Sequence, residues 1–262
     1  IYPFGSAVWE CTEPDWDKAK YFLMFGVAED HASNPIKMGL SKLKNRGAKF
    51  VSVNPIQTGY SAIADEWIGI TPGTDGLLVM SLMHELLRAG RVDIDYLIRY
   101  TNAPYLVIQN PGGKDHGLFA RNNKDQELCW DRIRNKEVPF KDPKLQPAMK
   151  GCFELADGTK VRPVFELLAE RYLDDKYSPD VVASQTGIKA NVISRLAAEM
   201  AEVAFENEIT INQPWTDCDN PDLLKELIGF DDKFPYFVGN IVRLITCLLY
   251  TSPSPRDVEE WG

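Results

Sequence analysis

Positive charge is what this 262-residue chain lacks: 29 Lys and Arg face 38 Asp and Glu, for a net charge of −9. A nucleic-acid partner needs a basic face to neutralise phosphates, so that class is disfavoured at the outset. No apolar run is long enough to span a bilayer. The three histidines, His31, His84 and His116, lie far apart, and no H-E-x-x-H pair or carboxylate cluster offers a hydrolytic metal site. The five cysteines, Cys11, Cys129, Cys152, Cys218 and Cys247, include no C-x-x-C pairing of the zinc or iron–sulfur kind. G-x-G-x-x-G is missing too, which argues against an ordinary dinucleotide fold. Ser61 and Ser81 lack the elbow context of a nucleophile. No repeat is visible, and the chain opens at Ile1 without the charged and apolar regions of a leader. Neither a catalytic residue nor a metal ligand can be assigned from what remains.

What is present is an alternation of apolar runs and amphipathic stretches. Residues 21–26 (YFLMFG) form a short apolar run closed by Gly, suited to a buried parallel strand. Residues 33–46 carry apolar or small positions with lysines opposite and stop at Gly47, as a helix does. Residues 49–53 make the next strand, 67–70 a third, and 75–89 a second helix closed by Gly90. Strand–helix–strand order predicts a right-handed crossover and an open, mostly parallel, Rossmann-like α/β sheet flanked by helices. A short helix over 93–100 and an extended segment over 105–108 follow. Residues 109–160, rich in Gly, Pro, Asn, Lys and Asp, read as a long surface excursion holding a hairpin over 152–160, turned by Asp157-Gly158. Helices over 163–172, 179–186 and 189–207 make the C-terminal part helical, with a further strand over 209–212.

The most informative stretch is 53–78, VNPIQTGYSAIADEWIGITPGTDGLL. It sets two loops side by side at the carboxyl ends of parallel strands, where open α/β sheets bind nucleotides. Asn54, Gln57 and Thr58 offer short hydrogen-bonding side chains, and Gly73 lets backbone approach a ligand. Asp75 places a carboxylate at a helix start. One carboxylate can accept both adjacent N–H groups on the Watson–Crick edge of guanine. Asp75 or Thr74 could instead merely cap the helix, but a cap has no need of the Asn-Pro-x-x-Thr turn upstream.

Phe25-Gly26, Asn54-Pro-Ile-Gln-Thr58, Ala64-Asp65-Glu66-Trp67 and Pro72-Gly-Thr-Asp75 together resemble the molybdopterin oxidoreductases of the dimethyl sulfoxide reductase family. The likeness runs over about 21–216. It implies a molybdenum or tungsten bis(molybdopterin guanine dinucleotide) cofactor, with these segments gripping one of the pterins. Gly26 and Glu29 would lie near the pterin–pyrophosphate end; Asn54, Pro55, Gln57 and Thr58 would meet ribose and phosphate; Gly73, Thr74 and Asp75 would meet guanine. The chain departs from the family pattern in two places. Many relatives carry Asp where Asn54 stands, and the first loop, FGVAEDHASNP, is longer than usual, leaving Glu29, His31 and Asn34 as rivals for one contact.

The resemblance further implies that 1–216 is a pterin-nucleotide-binding region within a larger multidomain catalytic subunit. A 4Fe-4S cluster and the metal ligand would belong to an N-terminal part outside this sequence. The wording of the motifs is most like the branch that oxidises sulfite or related sulfur oxyanions. The implied partners are a membrane quinone-linked subunit, together with an iron–sulfur electron-transfer subunit, with no nucleic acid. Formate oxidation or reduction of another small oxyanion stays open. Unpaired thiols point to a reducing compartment, the cytoplasm or the cytoplasmic face of a membrane; the periplasm stays open. Residues 217–246 are an unassigned helical segment. CLLYTSPSPRD, within 247–262, looks like the translation of a sequencing-library adapter and is expected to be foreign to the protein.

Two rivals come from other classes. Residues 179–200 scan like a helix-turn-helix through Ala183, Gly187, Ile193 and Leu196, with Lys189 and Arg195 as basic residues. Glu199, Glu202 and Glu206 on the same helix would repel phosphate. A cofactor-free structural or electron-wiring subunit is the other, opposed by the retention of Gly73, Thr74 and Asp75.

Overall fold

The computed structural model describes residues 16, 18–26 and 35–207. The expectations for Glu29, His31 and Asn34, the strand over 209–212 and everything from 217 onward lie outside the described residues. In chain order the elements begin with β1 (Tyr21–Phe25), α1 (Pro35–Asn45), β2 (Lys49–Val53), α2 (Gly59–Ile63), β3 (Glu66–Ile68) and α3 (Asp75–Arg88). Next come α4 (Ile94–Tyr100), β4 (Leu106–Ile108), β5 (Leu128–Asp131), β6 (Lys136–Pro139), β7 (Phe153–Glu154) and β8 (Lys160–Pro163). Three helices close the described chain: α5 (Val164–Tyr172), α6 (Pro179–Thr186) and α7 (Ala190–Glu206). The chain divides into two compact units, one of residues up to Val79 and from Val182 onward, the other Met80–Val181.

In the first unit β1, β2 and β3 form a parallel sheet in that order, with Phe25 opposite Val53 and Val53 opposite Ile68. Every residue of β1 is buried, as a parallel strand covered on both faces requires. The apolar run therefore does not alternate. Trp16, Phe22, Met24, Leu40, Leu43, Phe50 and Tyr60 build one core beneath α1, with the Trp16 and Phe22 rings 5.2 Å apart. Gly47, at φ +76°, ends α1 and turns the chain directly into β2. α7 buries Ile193, Leu196, Ala197, Met200 and Ala201, a spacing that places one helix stripe against the core.

At the amino ends of the three strands a cluster of charges ties the sheet to α7. Tyr21 donates to Glu199 at 3.1 Å and Lys49 to the same carboxylate at 2.6 Å. Arg195 bridges Glu199 at 2.7 Å and also pairs with Glu66. Arg195, one of the two basic residues that a DNA-reading helix would present, is thus held between two carboxylates of the protein itself.

The second unit corrects the reading of 109–160 as a surface excursion. That stretch supplies β5, β6 and β7. Leu106, Ala120, Leu128, Trp130 and Val161 make a core of their own, and Trp130 stacks on Phe153 at 4.5 Å. β4, β8 and β7 pair antiparallel, as do β5 and β6. The strands are so short that their alternation is lost among the polar turns around them. The hairpin expected at Asp157-Gly158 is there, with Gly158 at φ +85° and its N–H on the Leu155 carbonyl at 2.9 Å. Buried Asp131 organises the end of β5, accepting from the Ile133, Arg134 and Gln146 N–H groups. The Arg134 guanidinium and those bonds hold its carboxyl well below the usual carboxylate range. Cys129 and Cys152 are free thiols, and burial beside Glu127 pushes the Cys129 thiol up to about 12. Among the described residues no helix is long and apolar enough to cross a membrane.

Candidate functional site

Three loops leave the carboxyl ends of β1, β2 and β3, and because the strands are parallel neighbours all three emerge along one edge. Gly26 follows β1. Its N–H donates to the Val53 carbonyl at 3.0 Å, and its φ is +65°.

Asn54 follows β2 and is 3% exposed. Its N–H donates to the Ile68 carbonyl at 3.1 Å, its own carbonyl accepts the Trp67 indole N–H at 3.1 Å, and its amide oxygen accepts from Ile56 N–H at 3.4 Å. Asn54 is therefore a loop anchor as well as a candidate ligand contact. Pro55 and Gln57 stand exposed beyond it. Thr58 begins α2, a helix not anticipated from the sequence, yet its side chain makes no cap hydrogen bond. Its hydroxyl oxygen is buried with no partner among the described residues.

The third loop follows β3. Thr71 N–H donates to the Thr186 carbonyl at 2.9 Å, so the last residue of α6 braces it. Gly73 adopts φ +79° and the position of a Cβ there would meet open space. The Thr74 hydroxyl donates back to the Thr71 carbonyl at 2.7 Å, and it is the Thr74 main-chain carbonyl that starts the helix by accepting from Leu77 and Leu78 N–H. Asp75 opens α3 half-buried, and among the described residues no side chain or N–H bonds its carboxylate. The Thr74 hydroxyl is thus engaged with the loop before it, and Asp75 is the acidic residue of the first turn of α3.

Asp65, from the Ala-Asp-Glu-Trp stretch, joins β2 to the start of β3 through the Phe50 N–H at 2.7 Å and a Lys44 ion pair at 3.1 Å. Partial burial pushes its carboxyl up, but those two partners outweigh it and leave it below the ordinary value. The two described histidines lie in other segments of the chain. His84 is buried with Nδ1 on the Tyr172 carbonyl at 2.9 Å, and His116 accepts from Asn110 N–H inside a turn. Asp93 caps α4, and Asp174 caps the single 3-10 turn Asp175–Tyr177. Among the described residues no three His, Cys, Asp or Glu converge on a metal position.

The structure thus brings Gly26, Asn54, Pro55, Gln57, Thr58, Gly73, Thr74 and Asp75 to one sheet edge. Sequence reasoning missed Thr71 and Thr186 and the hydrogen bond made by Trp67; an aromatic on a three-residue strand, two before a glycine, was the available signal.

Residues 4–210 match the model of the family described as molybdopterin oxidoreductase. The chain belongs to that family. It is 46% identical over 251 residues to a protein named as a sulfite dehydrogenase subunit, from Allochromatium vinosum, covering 92% of this chain and 25% of that one. The perchlorate reductase alpha subunit of Dechloromonas aromatica is 30% identical over 223 residues, 71% of this chain and 24% of that protein. Among solved structures, acetylene hydratase from Pelobacter acetylenicus overlaps 74% of this chain and 18% of its own at TM-score 0.41 and 18% identity. The chain spans about a quarter of the length of these two curated relatives.

Membership implies a molybdenum–pterin cofactor, and the sheet edge fits one. The buried Thr58 hydroxyl, which has no partner among the described residues, is what a polar ligand there would complete. Both relatives are named as subunits, consistent with partner chains.

Proposed function

We propose that this chain is the part of a catalytic subunit that grips the nucleotide end of a molybdenum bis(molybdopterin guanine dinucleotide) cofactor. Asp75 carries the reading. Its half-buried carboxylate sits at the start of α3 with no donor among the described residues, two residues after the exposed Gly73 at φ +79°. A guanine edge supplies the paired N–H donors that such a carboxylate accepts. Gly73 and Thr74 would border the base. Asn54, Pro55, Gln57 and Thr58, on the neighbouring loop, would meet ribose and phosphate, with the Thr58 hydroxyl donating to a phosphate oxygen. Gly26 and Glu29 would lie toward the pterin.

When bound, the metal centre supplies two-electron exchange with a small substrate. The residues of this chain contribute orientation: they fix the distal end of the cofactor and leave the reacting end to parts of the protein beyond them. Sulfite or a related sulfur oxyanion is the proposed substrate, supported by the name of the 46% identical relative; the perchlorate reductase likeness keeps oxyanion reduction as the alternative. Electrons would pass to a quinone-linked membrane partner by way of an iron–sulfur subunit, with the protein in the cytoplasm or at its membrane face.

The test is compositional. Full-length protein, purified and acid-hydrolysed, is expected to release guanine nucleotide and molybdenum in a fixed ratio. A folded protein carrying neither would have a purely wiring role, and this reading would end.

A further inference from the structure

β3 is three residues long, and its middle residue, Trp67, is 38% exposed on the edge strand of the described sheet. A large aromatic left half in water at that position calls for a reason. Its hydrogen bond gives one. In a parallel ladder a residue donates its N–H to one neighbour and accepts at its carbonyl from the residue two further along the same neighbour. Asn54 does the first, to Ile68. Its carbonyl would next be met by the N–H of Ile70, but β3 ends at Ile68 and the chain departs toward Pro72. The Trp67 indole N–H takes that carbonyl at 3.1 Å in place of the missing rung.

The same ring reaches the other loop. A Cβ on Gly69 would lie 3.2 Å from Trp67 Cη2 and 3.4 Å from Cζ2, so the indole rests directly over the Gly69 backbone. Glycine at 69 is what lets the ring lie there. One side chain therefore bonds the first residue of the Asn54 loop and packs on the first residue of the loop that ends at Asp75.

The geometry points to Trp67 as a positioning residue that sets the spacing between these two loop tips, and hence the fit of one nucleotide held by both. This rests on the cofactor reading above. Trp67 need not touch the ligand; it acts through the Asn54 carbonyl and through Gly69.

The test uses full-length holoenzyme and follows release of guanine nucleotide and loss of molybdenum during incubation. Trp67→Phe keeps a ring over Gly69 and removes only the N–H; loss of one such hydrogen bond should speed release roughly three- to tenfold. Gly69→Ala displaces the ring without altering Asn54 and should speed release to a similar degree. If both act on the same spacing, the double variant should fall short of the product of the two effects. The thermal midpoint of the apoprotein is expected to fall modestly in Trp67→Phe, because the carbonyl of buried Asn54 loses its donor. Asp75→Ala serves as the reference. Fast release from Asp75→Ala but wild-type release from both Trp67→Phe and Gly69→Ala overturns the positioning role and leaves the cofactor reading intact. A lowered midpoint with unchanged release makes Trp67 merely structural and overturns it as well. Unchanged release from Asp75→Ala would instead remove the cofactor reading on which the proposal stands. Should Trp67→Phe fail to accumulate, Gly69→Ala alone decides.

Discussion

The two edges of the parallel sheet are built on opposite plans. At the amino edge charges are matched: Lys49, Glu66, Arg195 and Glu199 form one connected cluster, with the Tyr21 hydroxyl bonded into it. Burial and the Glu199 carboxylate push the Tyr21 phenol above its ordinary range. At the carboxyl edge the Asp75 carboxylate and the Thr58 hydroxyl are left without partners among the described residues, and glycines at 26 and 73 take left-handed conformations. The same three strands are tied to α7 by matched charges at one end and carry, among the described residues, an unpartnered buried hydroxyl at the other. An unmade hydrogen bond at a buried group costs stability, and a ligand donating to or accepting from the Thr58 hydroxyl would offset that cost.

Substitutions can break this contrast in either direction. The largest effect is expected from Asp75→Ala in the full-length enzyme. Loss of a charged acceptor is worth about 1.5–3 kcal/mol, so guanine nucleotide should dissociate roughly ten- to a hundredfold faster. The apoprotein's thermal midpoint should hardly move, since the carboxylate has no donor to lose among the described residues. A large drop in midpoint would show that Asp75 belongs to the fold and not to a ligand.

Glu199→Ala reverses the pattern. It leaves Lys49 and Arg195 without their shared carboxylate and should destabilise the fold by about 1–3 kcal/mol, read by chemical denaturation. Cofactor release at the far edge should stay as in wild type; accelerated release would mean that the two edges are coupled.

Thr58→Val removes the unpartnered hydroxyl and keeps the side-chain shape. Replacing an unsatisfied buried polar group by a methyl should stabilise the apoprotein by about 1 kcal/mol. Release of the loaded cofactor should speed a few-fold at the same time. A destabilised apoprotein would show that the hydroxyl is already satisfied without ligand.

The smallest effect is a slope with pH. Burial pushes the Glu199 carboxyl up, but hydrogen bonds from Lys49, Arg195 and Tyr21 outweigh it and leave it below its ordinary value. A carboxyl depressed on folding contributes fully above its unfolded value of roughly 4 and loses that contribution as pH falls through the folded value. Glu199→Gln should therefore flatten the loss of stability below about pH 4. Equal slopes in both proteins would show that the cluster adds nothing dependent on ionisation.

Much of the carboxyl edge was legible in the sequence because its signals are local. An apolar run closed by Gly26 is a strand and a turn, and Pro-Gly-Thr-Asp before an apolar stretch is a loop entering a helix. The amino edge was not legible. Lys49 meets Glu199 across 150 residues and Arg195 meets Glu66 across 129, distances over which no spacing rule applies. The short helix α2 was hidden inside a motif read as a turn. In the second unit Leu128–Asp131 is fully buried but only four residues long, and its polar flanks made the whole stretch look superficial. The helix-turn-helix pattern of α6 and α7 was visible in the sequence, but its place was not. The last residue of its first helix, Thr186, meets the β3 loop, and its arginine is locked to the sheet.

That Thr186 contact bears on the order of events during synthesis. The segment from Thr71 to Asp75 leaves the ribosome long before the carbonyl that braces it. A nascent chain halted ahead of α6 would hold Asp75 on an unsupported tether, and such stalled chains should not retain guanine nucleotide when washed. Loading of the metal carrier would then have to wait until translation has passed the sixth helix.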